Sequence, residues 1–121
     1  MLFRSEKKYS QLLGVQPYKR EAVEHEHVTT SFFQVGESKI ELLEATSPES
    51  AIAKFIEKRG EGIHHIAYAV DDIFMEMIKL KVQGFVFTHW EPTRGADNKL
   101  VCFIHPKSAG GVLTELCQEI S

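Results

Sequence analysis

The sequence is poor in cysteine and has no long apolar run, and each of these absences excludes a class of protein. Its two cysteines, Cys102 and Cys117, stand in apolar stretches and form no CxxC motif. Small secreted proteins with a disulfide framework carry several cysteine pairs, so we expect two small, buried side chains with reduced thiols instead. No apolar run approaches the roughly 20 residues that a membrane-spanning helix requires.

Neither sign of charge is in large excess, which argues against a polyanionic partner. The formal net charge is −3, and 43% of the residues are hydrophobic against 26% charged. These fractions are ordinary for a globular protein, and a net negative charge gives no general attraction to nucleic acid or to acidic membranes. The opening Met-Leu-Phe-Arg is too short for the apolar part of a secretory signal, so we expect a cytoplasmic location.

Periodicity and turn residues divide the 121 residues into two modules of one domain, residues 1–59 and residues 60–121. In the first module, the helical spacing of apolar residues ends at Gly14, and Ser50 is a suitable cap for a linking helix. The predicted elements of this module are a helix over Ser5–Leu13, strands over Val15–Glu26, Val28–Val35 and Lys39–Ala45, and the linking helix over Ala51–Lys58.

The second module repeats this order but adds a strand in front of its helix. Asp71 or Asp72 is expected to cap that helix, and Gly84 to end it. The predicted elements are a strand over Ile63–Val70, a helix over Ile73–Val82, and strands over Phe85–Trp90, Lys99–His105 and Val112–Cys117. The two modules together predict an α+β fold in which the first module lacks the opening strand of the second.

Two glutamates and one histidine stand within apolar strands, where an uncompensated charge is costly to bury. Glu41 lies in Ile-Glu-Leu-Leu-Glu, Glu115 lies in Leu-Thr-Glu-Leu-Cys, and the histidine lies in Gly-Ile-His-His-Ile-Ala-Tyr. Each carboxylate is predicted to face away from the packing side of its strand. A solvent-facing position explains any one of these residues alone, but a shared divalent cation explains all three.

Strand alternation favours His65 over His64 as the histidine of this group. His65 shares a face with Ala67 and Ala69, whose small side chains leave room for a ligand. The opposite face is expected to pack under helices and carries His64, Ile66, Tyr68 and Val70. We therefore predict a metal site formed by Glu41, His65 and Glu115.

The loop from His105 to Gly111 has two possible interpretations. Pro106 and the glycines Gly110 and Gly111 are typical of a structural turn with unusual backbone angles. In the second interpretation, Lys107 and the exposed backbone amides contact acyl or phosphate groups of a substrate. The residues alone do not decide between these interpretations. In the second one, the candidate substrate-binding residues are His105, Lys107, Gly110 and Gly111.

Three ordered blocks of the sequence resemble the methylmalonyl-CoA epimerase family, which belongs to the vicinal-oxygen-chelate, or glyoxalase, superfamily. The blocks are Ser38–Ser50, Ile52–Ala67 with the following Val70–Ile73, and Phe103–Leu113. The likeness extends over nearly all of Ser5–Ile120. Three ordered blocks of this length are more specific than any single motif.

This resemblance implies paired βαβββ modules of the glyoxalase/bleomycin-resistance/dioxygenase type, whose curved sheets enclose a divalent metal. By motif position, His65 matches the histidine ligand of the second module, Glu115 matches its final glutamate ligand, and Glu41 stands where the family places a Gln or Glu ligand. The family's histidine in the opening strand of the first module has no counterpart here, which implies a shortened amino terminus. The expected ion is Co²⁺, with Mn²⁺, Ni²⁺, Zn²⁺ and Mg²⁺ also compatible with these ligand types.

The activity that the resemblance implies is the interconversion of (R)- and (S)-methylmalonyl-CoA in propionate metabolism, by removal and return of the α-proton through a metal-stabilised enolate. Glu115 is the expected base on one face of the substrate, and Glu41 is a candidate for the other. An acyl-CoA is the expected partner, and a homodimer is expected by analogy. Two alternatives remain: a glyoxalase-like lyase, and a catalytically impaired binding member of the same superfamily.

Overall fold

The computed structural model describes residues 2–120, with side chains from Arg4 onward. The chain divides into two compact units, Met1–Gly62 and Ile63–Ser121. Each unit packs a helix on its own β-sheet, as the predicted α+β fold requires. Within residues 2–120, no helix combines the length and the apolar character that crossing a membrane would require.

The first unit is a three-stranded antiparallel sheet with two helices. Its elements are α1 (Leu2–Leu13), β1 (Lys19–Val23), β2 (Val28–Val35), β3 (Ser38–Ala45) and α2 (Ala51–Arg59). The strands pair in the order β1–β2–β3, and the register places Phe32 opposite Glu41 and Ser31 opposite Leu42. These bounds confirm β2 as predicted and β3 to within one residue.

A buried carboxylate attaches α1 to the sheet. Glu6 accepts hydrogen bonds from the Arg20 guanidinium, with Nε 2.8 Å from Oε2, and from the Ser31 hydroxyl at 2.5 Å. Ser31 is fully buried, whereas half of the Arg20 side chain is exposed. The Arg20 hydrogen bond holds the pKa of Glu6 below its usual value, because together with the Ser31 hydroxyl it outweighs the opposing effect of burial.

The predicted first strand, Val15–Glu26, was too long at both ends. After Val23 the chain makes one 3₁₀ turn over Glu24–Glu26, closed by the His27 N–H, which donates to the Glu24 carbonyl at 3.1 Å. His27 has a φ of 55°, in the left-handed region, and this conformation interrupts the extended backbone before β2. No Gly, Asn or Asp marks the turn in the sequence, so its position was missed.

The linking helix α2 has the caps that the sequence predicts. The Ser50 hydroxyl accepts a hydrogen bond from the Ile52 N–H at 3.0 Å, and Ser50 is itself buried. At the other end, the Gly60 N–H donates to the Ile56 carbonyl at 2.7 Å, with Gly60 at a φ of 74°. These two contacts satisfy backbone groups that a helix terminus otherwise leaves unpaired.

The second unit adds a parallel strand to the same arrangement. Its elements are β4 (Ile66–Ala69), α3 (Ile73–Val82), β5 (Thr93–Gly95), β6 (Lys99–Ile104) and β7 (Thr114–Glu119). The strand order is β4–β7–β6–β5, in which β4 runs parallel to β7 and the other pairs are antiparallel. This is the βαβββ order of a complete module, and within residues 2–62 the first unit shows the same order without an opening strand.

The core of the second unit lies between α3 and one face of its sheet. Asp72 caps α3 by accepting a hydrogen bond from the Met75 N–H at 3.1 Å, which confirms the predicted cap. The Gln118 side chain of β7 accepts from the Ile73 N–H at 2.8 Å and so joins the helix start to the sheet. The buried core residues are Ile73, Met77, Cys102, Ile104 and Leu116.

Strand β4 contributes little to this core, contrary to expectation. Val70 packs against the core, but Ile66 and Tyr68 are exposed. The prediction that these bulky residues lie under a helix was wrong because β4 is the edge strand of the sheet, beyond the area that α3 covers. Strand alternation indicates which residues share a face, but it does not indicate how far a helix extends over that face.

Two elements between α3 and β6 were also predicted wrongly. Residues 85–90 form a single bridge to β6 rather than a strand. The regular strand is Thr93–Gly95, which lies between the predicted strands Phe85–Trp90 and Lys99–His105 where no strand was predicted. Gly95 allows this close pairing, because a Cβ at its position would lie 3.0 Å from a methyl carbon of Val101.

We expect Glu6→Gln to destabilise the fold by about 1–3 kcal/mol, because the amide accepts weaker hydrogen bonds than the carboxylate from Arg20 and Ser31. The free energy of unfolding, measured in urea, tests this. The lowered pKa of Glu6 also makes the difference depend on pH. It should be complete above the ordinary Glu pKa of about 4.3 and should disappear as the pH falls through the lower folded-state pKa. A difference that grows on acidification would contradict the assigned role.

Candidate active site

A histidine and a glutamate meet on the sheet face of the second unit that lies opposite α3. The β4–β7 register places Ala67 beside Glu115, and the β6–β7 register places Phe103 on the other side of Glu115. His65, just before β4, lies with Nε2 3.2 Å from Oε1 of Glu115. Only 18% and 14% of the two side-chain surfaces are accessible, so the pair is largely withdrawn from solvent.

Neighbouring side chains shape the space around this pair. The His65 ring packs edge-on against Phe103, with ring centroids 5.6 Å apart and planes at 81°. On the other side of Glu115, Ala67 provides only a methyl group. Leu116, the next residue along β7, is buried in the core under α3, so the Glu115 side chain points to the opposite face. This is the orientation predicted from strand alternation.

The structure also brings His64 to this group, contrary to the prediction from strand alternation. The Nδ1 atoms of His64 and His65 are 2.9 Å apart, and the rings are perpendicular. Burial, with a smaller contribution from His65, lowers the pKa of His64 to about 4. Strand alternation had assigned His64 to the helix side, but β4 begins only at Ile66, so the alternation does not extend to the two histidines. The His-His dipeptide itself was the available signal.

Glu41 lies on β3 in the first unit and has the predicted orientation. Its neighbours Ile40 and Leu42 share the face of Ser31, whose hydroxyl contacts α1, so Glu41 points to the other face. The Glu41 side chain is exposed on that face, opposite Phe32 of β2. Across residues 2–120, no three His, Cys, Asp or Glu side chains form a group that could hold a metal ion. The trio of Glu41, His65 and Glu115 stays a prediction.

The donor types of the His65–Glu115 pair fit a divalent ion. An imidazole nitrogen and a carboxylate oxygen, here 3.2 Å apart, are the mixed ligand types that Zn²⁺, Co²⁺ and Mn²⁺ accept. The two side chains supply part of a coordination sphere, which further protein or substrate oxygens would have to complete. The pair is equally suited to proton transfer, since a partly shielded carboxylate beside an imidazole is a competent base.

The loop predicted to bind substrate has clear structural features. His105 caps a 3₁₀ turn over Pro106–Ser108, with its Nδ1 accepting from the Lys107 N–H at 3.1 Å. Gly110 and Gly111 have φ values of 67° and 90°, in the left-handed region. Lys107 is exposed. These contacts account for His105 and for both glycines as turn-forming residues, and a role of the four residues in substrate binding stays a prediction.

The two cysteines are packing residues of the sheet. Both thiols are free and buried, as predicted. Burial raises the pKa of Cys102 to about 11, so very little thiolate is present at neutral pH. The Cys117 thiol donates a weak hydrogen bond to the Tyr68 carbonyl at 3.7 Å. Both residues therefore act as small apolar side chains of the sheet.

This chain is similar to one known protein family and to several known proteins. The family model described as Glyoxalase/Bleomycin resistance protein/Dioxygenase superfamily matches residues 2–103. The uncharacterised protein YqjC of Bacillus subtilis is 36% identical over 110 residues, which cover 91% of this chain and 79% of that protein. The ethylmalonyl-CoA/methylmalonyl-CoA epimerase of Cereibacter sphaeroides is 45% identical over 93 residues, which cover 75% of this chain and 69% of that enzyme.

Solved structures agree with the sequence relatives. The crystal structure of methylmalonyl-CoA epimerase from Mycobacterium tuberculosis has a TM-score of 0.92 and 32% sequence identity, covering all of this chain and 82% of that one. The chain spans a smaller part of some relatives, such as 63% of the human mitochondrial methylmalonyl-CoA epimerase, to which it is 37% identical.

Two substitutions separate the structural and binding interpretations of the loop. Gly110→Ala should lower the free energy of unfolding by about 1–2 kcal/mol, because a side chain disfavours the left-handed conformation. Lys107→Ala should leave stability within about 0.5 kcal/mol, since its side chain is exposed. Urea denaturation gives both values, and acyl-CoA affinity measured on Lys107→Ala tests the binding role. Unchanged affinity in that variant would remove Lys107 from the substrate site.

Proposed function

Because the chain belongs to the Glyoxalase/Bleomycin resistance protein/Dioxygenase superfamily, we propose that it is an epimerase that interconverts (R)- and (S)-methylmalonyl-CoA. The relatives named as epimerases support the substrate class. The observation that carries the proposal is the His65–Glu115 pair, whose partial burial beside Ala67 leaves a carboxylate open to a small acyl group.

The reaction requires a base on each side of the substrate's α-carbon. This carbon lies between a thioester and a carboxylate, so its proton is acidic enough for a carboxylate to remove when the resulting negative charge is stabilised. Glu115 takes the proton from one face and returns it there in the reverse direction. A second base acts on the opposite face. Glu41 is our candidate for it, because it projects from the sheet face opposite α1.

Three side chains would hold the divalent ion that we propose as cofactor: His65, Glu115 and Glu41. A bound ion of this kind supplies a Lewis acid for the thioester oxygen, and Co²⁺ is our first choice. His65 and Glu115 already stand together in the second unit. Shielding by Phe103 and the sheet limits water around Glu115, which strengthens the electrostatic contacts of this carboxylate with a bound substrate.

Further parts of the proposal concern the substrate's remaining groups and the protein's setting. The loop residues His105, Lys107, Gly110 and Gly111 would contact the acyl-CoA, with Lys107 contributing a positive charge next to anionic groups. We also propose a homodimer and a cytoplasmic location, in the context of propionate metabolism.

Deuterium exchange into each epimer of methylmalonyl-CoA tests the function and the roles of the two carboxylates. In D₂O with Co²⁺, the wild-type chain should exchange the α-hydrogen of both epimers. Glu115→Gln should lower epimerisation by about 10²–10⁴-fold, the usual contribution of a general base. One epimer should still exchange in this variant, because the second base is intact. The melting temperature should change little, since the amide is nearly isosteric.

Glu41→Gln should give the mirror-image result, with exchange retained in the other epimer alone. Glu37→Gln, in the exposed turn between β2 and β3, is the matched control and should behave as wild type. Absence of exchange in both epimers by the wild-type chain with Co²⁺ would refute the epimerase. A melting temperature that falls in step with activity in Glu115→Gln would instead indicate a structural role for this residue.

One observation favours a second candidate, a binding member of the superfamily without catalysis. Within the described residues 2–120, no third donor joins His65 and Glu115. A protein that binds acyl-CoA but exchanges no α-hydrogen would fit this alternative. Conversion of a hemithioacetal into the isomeric thioester would instead identify a glyoxalase-like lyase.

A further inference from the structure

We propose that His64 is a positioning residue that shares a hydrogen bond between Nδ1 atoms with His65 and thereby sets which nitrogen of His65 carries a proton. This inference rests on the proposed function only where it concerns metal binding. The carrying observation is the 2.9 Å separation of the two Nδ1 atoms, with His65 Nε2 lying 3.2 Å from Glu115.

The proton positions follow from what each atom is able to do. An ionised carboxylate only accepts hydrogen bonds, so His65 Nε2 must carry the proton that it directs at Glu115. In a neutral ring, Nδ1 of His65 is then a bare acceptor. At 2.9 Å, two lone pairs would repel, so Nδ1 of His64 must carry the proton of that contact. His64 is thus held in the Nδ1–H form, the minor tautomer of a free neutral histidine.

The perpendicular arrangement of the rings fits this assignment. The planes are at 90° and the two Nδ1 atoms are 2.9 Å apart, so the His64 N–H, which lies in its own ring plane, can be directed at the His65 nitrogen without the rings stacking. Among the described residues, the His65 ring also packs edge-on against Phe103, which accepts no hydrogen bond of comparable strength. His64 and Glu115 therefore hold opposite ends of one imidazole.

The arrangement has a consequence for any use of His65 Nε2 as a ligand. That use requires a lone pair at Nε2, so the His65 ring must carry its proton on Nδ1 instead. His64 then has to accept at Nδ1 and carry its own proton on Nε2. Both rings change tautomer together, and the number of protons on the pair stays the same. His64 satisfies His65 Nδ1 in both states because a histidine can donate or accept at the same atom.

Nuclear magnetic resonance of the ring nitrogens tests this directly in the metal-free protein. Long-range ¹H–¹⁵N correlation spectra at mildly alkaline pH, where ordinary imidazoles are neutral, distinguish a protonated nitrogen from a bare one. We expect His65 to be protonated on Nε2 and His64 on Nδ1. Adding Zn²⁺ should move both protons to the other nitrogen of each ring. A metal-free His64 protonated on Nε2 would overturn the proposal.

Two variants test the positioning role. His64→Phe keeps a ring but has no hydrogen-bonding atom, and should weaken Zn²⁺ binding by about 10–100-fold, the usual effect of losing a ligand's outer partner. His64→Asn places an amide oxygen near the former Nδ1 and should recover most of that affinity. His89→Phe is the matched control, because this exposed histidine contacts only Thr88 among the contacts resolved for its ring, and should leave affinity unchanged. Calorimetric titration gives the affinities.

The outcomes separate this inference from the proposed function. Equal loss of Zn²⁺ affinity in the Phe and Asn variants would show that a hydrogen-bonding atom at position 64 does not support the affinity, and the proposal would fail. A wild-type chain that lacks epimerase activity but shows the Nδ1–H form of His64 would refute the function and leave the histidine pair established. A wild-type chain that binds no Zn²⁺ would refute the positioning role toward a metal ion. If His64→Phe does not fold, the tautomers measured by nuclear magnetic resonance in wild type and in His64→Asn still test the proposal.

Discussion

The parallel pairing of β4 with β7 is the constraint on which the candidate site depends. It sets Ala67 against Glu115 and brings the preceding histidines to the carboxylate. A shift by one residue would place Ile66 or Tyr68 beside Glu115, because neighbouring strand residues point to opposite faces. The open space would then be filled by a large side chain and His65 would lose its partner. The β4–β7 register therefore decides which side chains lie beside Glu115, and so which chemistry this sheet face can support.

The two units show how one added strand changes the environment of the same residue type. Glu41 is opposite Phe32, and Glu115 is opposite Phe103, so each carboxylate has a phenylalanine on the preceding strand. Glu115 is nonetheless largely buried, while Glu41 is exposed. The difference follows from β4, which flanks Glu115 and has no counterpart beside β3 within residues 2–62. Burial of a charge next to an imidazole is thus a property of the four-stranded sheet.

Much of this fold could be predicted from the sequence, and the failures have identifiable physical causes. β2 and α3 have the predicted bounds: the apolar pattern of β2 ends just before Gly36, and α3 starts at the Asp72 cap. The 3₁₀ turn before β2 was missed because a histidine, not a glycine, occupies its left-handed position. β5 was missed because three residues are too few for a period, and its pairing depends on Gly95 approaching Val101.

The candidate site was predicted in part for the same kind of reason. The orientations of Glu41 and Glu115 follow from alternation inside regular strands, and these were correct. The position of His64 could not be predicted from alternation, because both histidines precede β4 and alternation applies only within a regular strand. Which donors converge from separate parts of a chain is a tertiary property, which local patterns do not contain.

The edge position of β4 also gives the two halves of the site unequal stiffness. Glu115 stands on a strand that has a partner on each side, and the next two residues of that strand, Leu116 and Cys117, are buried. The histidines adjoin a four-residue strand that is exposed throughout and bonded on one side. Local opening costs least where few apolar contacts must be broken, so amide protection should be low along β4 and high along β7. Glu115 is therefore held in a nearly fixed position, while His64 and His65 can move to accommodate a group that binds beside Glu115.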